Sequence, residues 1–145
     1  MATVTQNLEN RTAIVTGSAQ GIGKAIAQRL TAAGATVAIA DLNLDNAKKT
    51  AQEIGHNAIA VHLDVAKAES VQQAIDTCLS TWGHIDILVN NAGIVGSGTP
   101  VKDLTEEDWN HVLSINLTGV FLCSRAVLPT MLKQNKGTIV SVASI

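Results

Sequence analysis

The sequence predicts an α/β fold with a doubly wound parallel sheet, and three observations lead there. Short apolar runs rich in β-branched residues alternate with amphipathic stretches of about ten residues or more. Several of those stretches stop at a glycine, as helices do. Strands separated by helices of that length are joined by right-handed crossovers, which makes them parallel and covers the sheet on both faces.

Taken in order, the first strand is Thr12–Thr16, a continuous apolar run closed by Gly17. Ile22, Ile26, Leu30 and Ala33 then recur at helical spacing before Gly34. Residues 36–40 form the second strand, Leu44–Ile54 the second helix with its stop at Gly55, and residues 58–63 the third strand. The third helix carries Val71, Ala74, Ile75, Cys78, Leu79 and Trp82 on one stripe and ends at Gly83. Residues 85–89 make strand four, and 93–100 a glycine-rich loop with one proline. Thr105 followed by Asp108 resembles a capping box that opens a long helical region, 105–133. Residues 138–142 supply strand five. With no linker, repeat or low-complexity tract, residues 1–145 read as one domain.

Composition excludes several classes of function. Twelve Asp+Glu outnumber ten Lys+Arg, and no basic cluster exceeds Lys48-Lys49, so nucleic acid is not an expected partner. Apolar runs break within about a dozen residues, so no membrane span is expected. Residues 1–10 lack the pattern of a secretory signal. Cys78 and Cys123 show no ligand or Cys-x-x-Cys spacing, and the four histidines none either. They predict buried reduced thiols, a cytoplasmic protein and no metal site.

The first strand runs into Gly17-Ser18-Ala19-Gln20-Gly21-Ile22-Gly23. Glycines at a strand-to-helix junction let backbone N–H groups approach a phosphate, and the helix N-terminus adds partial positive charge. A P-loop is excluded, because Lys24 is followed by Ala25 and not by Ser or Thr. Alone, these glycines would also serve a tight turn and close helix packing. Asp41 ends the second strand near the offset at which an acid reaches an adenosine ribose. A carboxylate there accepts from a ribose hydroxyl and repels a 2′-phosphate, which favours NAD over NADP, and neither Gln20 nor Leu42 offers a compensating charge. Asp64 closes the third strand, where it suits either an adenine amino group or a helix cap.

Together these residues resemble the short-chain dehydrogenases/reductases. The likeness rests on Thr16-Gly17-x-x-x-Gly21-Ile22-Gly23, Asp41, Asp64-Val65, Asn90-Asn91-Ala92-Gly93, Asn116 within Ser114-Ile115-Asn116-Leu117, and the segment from Gly137 to Ser144. The resemblance implies a Rossmann-type sheet and hydride transfer between NAD and a small secondary alcohol or ketone, as in polyol and sugar-acid dehydrogenases and 3-oxoacyl carrier-protein reductases. It implies that the turn, with Gly17, Ser18, Gln20, Gly21, Ile22 and Gly23, holds the cofactor diphosphate. Asp41 would take the ribose, Asp64 and Val65 the adenine, and Asn91, Ala92 and Gly93 would line the cofactor beside strand four.

Two catalytic residues follow from the same likeness. Asn116 falls on a stripe with Trp109, Val112, Leu113 and Val120, where a buried amide needs partners or a task. In the family the matching Asn serves a proton relay, and the serine matching Ser144 hydrogen-bonds the substrate oxygen. The family's Tyr-x-x-x-Lys motif is absent, and the sequence has no tyrosine. The expectation is therefore an N-terminal portion whose domain is incomplete after strand five, inactive and poorly folded alone, with an open apolar strand edge. A homodimer or homotetramer is expected at full length. A non-catalytic dinucleotide-binding module is the alternative; the glycine spacing and Asn90-to-Gly93 tetrapeptide argue against a methyltransferase.

Overall fold

The computed structural model describes residues 7–143. Strand β1 (Thr12–Thr16) lies between β2 (Thr36–Asp41) and β4 (Ile87–Asn90), with β3 (Ala58–His62) beyond β2 and β5 (Thr138–Ser141) beyond β4. All four pairings are parallel. In register, Thr12 to Thr16 of β1 face Thr36 to Ala40 of β2, and Ala13 to Val15 face Ile87 to Val89 of β4.

Every residue of β1 is buried, which explains its uninterrupted apolar run: alternate side chains leave opposite faces, and both faces are covered. On one face Ile14, Ala38 and Leu88 meet Val71, Ile75 and Cys78 of α3 (Ala68–Trp82) and Leu122, Val127 and Met131 of α5 (Gly119–Lys133). On the other, Val15, Val37 and Ile39 meet small side chains, Ala27 of α1 (Gly21–Ala32) and Ala47 and Ala51 of α2 (Leu44–Ile54). Ile14, Ile39 and Leu88 are nearly inaccessible, and removing each from water contributes ~1.5–3 kcal/mol. Cys78 and Cys123 are free and buried, as expected. Burial pushes both thiols up to about 12, which makes them inert as nucleophiles.

Strand four begins two residues later than the sequence predicts. Ile85 is buried, but its backbone is paired by an amide: its N–H donates to Gln134 Oε1 (3.2 Å) and its carbonyl accepts from Gln134 Nε2 (3.0 Å). Asp86 follows, its carboxylate tying together the amino ends of three strands. It accepts from the Thr12 N–H (3.0 Å), Arg11 (3.1 Å) and Lys136 (3.0 Å), and its own carbonyl accepts from the Thr138 N–H (2.8 Å). Burial alone would raise this carboxyl; the Thr12 N–H, Lys136 and Arg11 outweigh burial and hold it below the ordinary carboxylate range.

The long helical region differs most from expectation. After a single 3-10 turn at Val101–Asp103, α4 (Glu106–Leu113) opens as predicted, with Thr105 accepting from the Asp108 N–H (3.0 Å) and donating to its carboxylate (2.6 Å). A π-helical turn, Ser114–Thr118, then separates α4 from α5. The predicted stripe is only partly covered: Val112, Leu113 and Val120 are half-buried, Trp109 is exposed, and Asn116 is exposed rather than buried. Contrary to the expectation of interrupted apolar runs, Glu106–Lys133 is long and apolar enough to cross a membrane. Here its apolar side lies on α3 and the sheet through Leu122, Cys123, Val127 and Met131. All four residues of β5 are exposed.

Candidate active site

The sheet order makes β1 the point where the chain turns from one side of the sheet to the other, and a crevice opens there at the carboxyl ends of the strands. It measures about 260 Å³. Gly17 and Gln20 line it after β1, Asp41 and Leu42 after β2, Leu63 to Val65 after β3, and Asn91 to Ile94 after β4, with Ile115 opposite.

The turn after β1 is shaped for a ligand that needs backbone donors. Gly17 and Gly21 have φ of +63° and +58°, a conformation that side-chain-bearing residues rarely adopt. A methyl group on Gly17 would lie 2.8 Å from Ala92 Cα, whereas one on Gly21 would meet nothing within 4 Å, so the turn is packed below and open above. At Gly23 a methyl group would strike Gly17 O and Asn91 Nδ2, so only glycine brings α1 this close. Helix α1 has no acid in its first turn, and the Gln20 side chain does not cap it. Its leading N–H groups are therefore left for an anion.

Two residues hold this turn against the one after β4. Thr16 Oγ1 accepts from the Asn91 (3.0 Å) and Ala92 (2.9 Å) N–H groups, while Asn91 Nδ2 donates to Thr16 O (3.0 Å) and Gly17 O (3.1 Å). Asn90 anchors the same segment from below, its Nδ2 donating to Ser124 Oγ (3.1 Å) and Ser141 Oγ (3.4 Å).

Of the acids, Asp41 lines the crevice with its carboxylate oriented by two N–H groups, from Ala19 and Asn43, both at 3.0 Å. Asp64 also lines it and accepts from the Ala66 N–H (3.1 Å) with Lys67 3.3 Å away, closing a turn ahead of α3 rather than capping that helix, whose cap position is Lys67. Val65 beside it is buried under Gly119, where a methyl group would fall 2.8 Å from Val65 Cγ2.

Not every expected contact is where the spacing put it. Ser18 is fully buried; its hydroxyl donates to Val15 O (2.6 Å) and accepts from the Ala40 N–H (3.1 Å), and its own N–H donates to Ala40 O. Its polar side chain braces β1 against β2. Ile22, placed on the core side of α1 by its periodicity, is 68% exposed instead. Ser18, Gly21, Ile22 and Gly23 do not line the crevice itself. Asn116 forms a reciprocal pair with the backbone of Ile94, accepting from its N–H and donating to its carbonyl, both at 2.9 Å. Ser144 lies outside the described residues.

Sequence reasoning passed over Thr16, Thr50 and Asn90 as individual site residues. Each carried a signal: Thr16 and Asn90 are polar ends on apolar strands, and Thr50 sits on the stripe of Ala47, Ala51 and Ile54, where an apolar residue belongs.

Comparison with known proteins agrees with this fold. The chain is 41% identical over 138 residues to a sorbitol dehydrogenase of Cereibacter sphaeroides, covering 94% of this chain and 54% of that protein. The crystal structure of gox2181 superposes with a TM-score of 0.94 at 42% identity, covering 97% of this chain and 56% of that one. A 3-ketoacyl-(acyl-carrier-protein) reductase from Brucella melitensis, crystallised with NADH, gives 0.90 at 35% identity, covering 95% and 58%. The chain thus spans little more than half the length of each. A family model described as short chain dehydrogenase matches residues 11–145, and the chain belongs to the short chain dehydrogenase family.

Proposed function

We propose that the protein is an NAD-preferring oxidoreductase that interconverts a small secondary alcohol and a ketone in the cytoplasm. The observation that carries this reading is the joint placement of the glycine turn and Asp41 at one crevice. Open backbone donors there suit a diphosphate, and an oriented carboxylate suits a ribose diol. The N–H groups that open α1, between Gly21 and Gly23, would hold the diphosphate, Asp41 the adenosine ribose, Asp64 and Val65 the adenine, and Asn91 to Gly93 the part nearest β4. Bound NAD supplies the hydride acceptor or donor. The chain's own residues orient it: Asn91 and Thr16 fix the floor of the turn, and Asn116 holds the loop at Ile94 over the crevice.

Ser144 is assigned the substrate oxygen and Asn116 a place in the proton relay. These 145 residues contain no tyrosine, and we expect a polypeptide of these residues to bind dinucleotide without turnover. Exposed Trp109, Leu117, Phe121 and Leu132 on α4, the π turn and α5 support a homodimer or homotetramer.

Asp41→Asn tests the cofactor assignment, since the amide keeps the shape and an acceptor for the Ala19 N–H but loses the charge. Calorimetric titration is expected to show NAD bound more tightly than NADP by the native protein. The preference is expected to shrink ~10-fold or more in the variant. An unchanged preference would overturn the assignment.

A further inference from the structure

We propose that Thr50, on α2 and outside the crevice, is a positioning residue for the glycine turn, setting how well that turn receives a dinucleotide; the inference rests on the functional reading above. The turn lies between two glycines in left-handed conformation, Gly17 and Gly21, which are the places where its backbone can swing. Ala19, midway between them, is held through both of its backbone groups. Its N–H donates to Asp41 Oδ2 (3.0 Å), and its carbonyl accepts from Thr50 Oγ1 (2.7 Å). Thr50 is 2% exposed, and Ala19 packs in the same core cluster as Ala47 and Ala51 of α2. The Lys24–Glu53 ion pair adds a second, exposed tie between α1 and α2.

The consequence is a coupling between the two ends of the adenosine site. Asp41, assigned the ribose under that functional reading, holds one side of Ala19, while α2, which starts just after Asp41, holds the other through Thr50. Remove the Thr50 hydroxyl and the Ala19 carbonyl is left buried without a partner, a situation the backbone relieves by swinging at Gly17 and Gly21. The donors at the start of α1 then leave the positions that receive the diphosphate.

Thr50→Val keeps the shape and removes the donor. In the purified protein it is expected to weaken NAD binding ~3–10-fold by calorimetry and to speed amide hydrogen exchange across residues 17–23, with Thr50→Ser restoring both. Thr12→Val is the control: Thr12 is also buried and also donates to a carbonyl, His84 O at 2.8 Å, at the opposite end of the same sheet. It is expected to lower Tm while leaving the NAD Kd unchanged. If Thr50→Val does not fold, Thr50→Cys, a poorer donor, is read by the same two measurements. Unchanged NAD affinity on loss of the donor, or equal losses in Thr50→Val and Thr12→Val, overturns the inference. Native protein that takes up no NAD overturns instead the functional reading beneath it.

Discussion

Asp86 shows how one side chain can hold a sheet from the end opposite the crevice. It is 3% exposed, yet its carboxylate meets Arg11, Lys136, His84 and the Thr12 N–H. The cations are themselves half in water, which screens them, so most of the benefit is local hydrogen bonding to a buried acceptor. Asp86→Asn is expected to cost about 1–3 kcal/mol at neutral pH, read from denaturant unfolding. Because the folded carboxyl is held below its usual value, its contribution is complete above the unfolded carboxylate value of about 4 and disappears as pH falls through the lower folded one. The stability gap between the native protein and Asp86→Asn should therefore close on acidification. A gap that stayed constant down to pH 2 would show that the carboxylate is not the source. None of this was legible in sequence, since the four partners come together only through strand register; Asp86 reads there as one residue of the predicted fourth strand, 85–89.

At the scale of elements, periodicity served well where a helix lies flat on the sheet. The α3 stripe and its Gly83 stop, Leu44–Ile54, and Thr12–Thr16 are all as the pattern predicts. It served less well across the π turn, because a stripe drawn at 3.6 residues per turn assumes an unbroken helix, and one wider turn shifts the faces on its two sides relative to each other. Asn116 was thus singled out for a burial it does not have, although its need for partners was read correctly. The site divides in the same way. The glycine spacing, Asp41 and Asp64 were readable because local chemistry demands those residues at those positions. Ser18 and Thr50 depend on which carbonyl of another element lies opposite, which no local pattern carries. The Asn116 clasp makes its own prediction. Asn116→Ala should accelerate hydrogen exchange at the Ile94 amide, while unfolding free energy changes by only ~1 kcal/mol, as the pair is exposed. Unaltered exchange at Ile94 would mean that the loop is held by something else.

For the whole molecule, the important asymmetry is between its two sides. The β1, β2 and β3 half is closed by α1 and α2, whereas Ile139, Val140 and Val142 at β5 and Phe121, Leu128 and Leu132 on α5 are exposed. A polypeptide of these 145 residues is expected to self-associate through that side at micromolar concentration, seen as concentration-dependent mass in light scattering; a monomer at all concentrations would refute it.

The strand order also governs how the chain comes to be folded as it is made. β1 can take β2 as soon as α1 is formed, a local closure. Its other neighbour, β4, is synthesised only after α2, β3 and α3, so the central strand keeps one row of backbone groups bare while that stretch is translated. A nascent chain stalled between Ile54 and Ile87 is thus the form most in need of a chaperone, with the strand that later lies deepest presented to solvent.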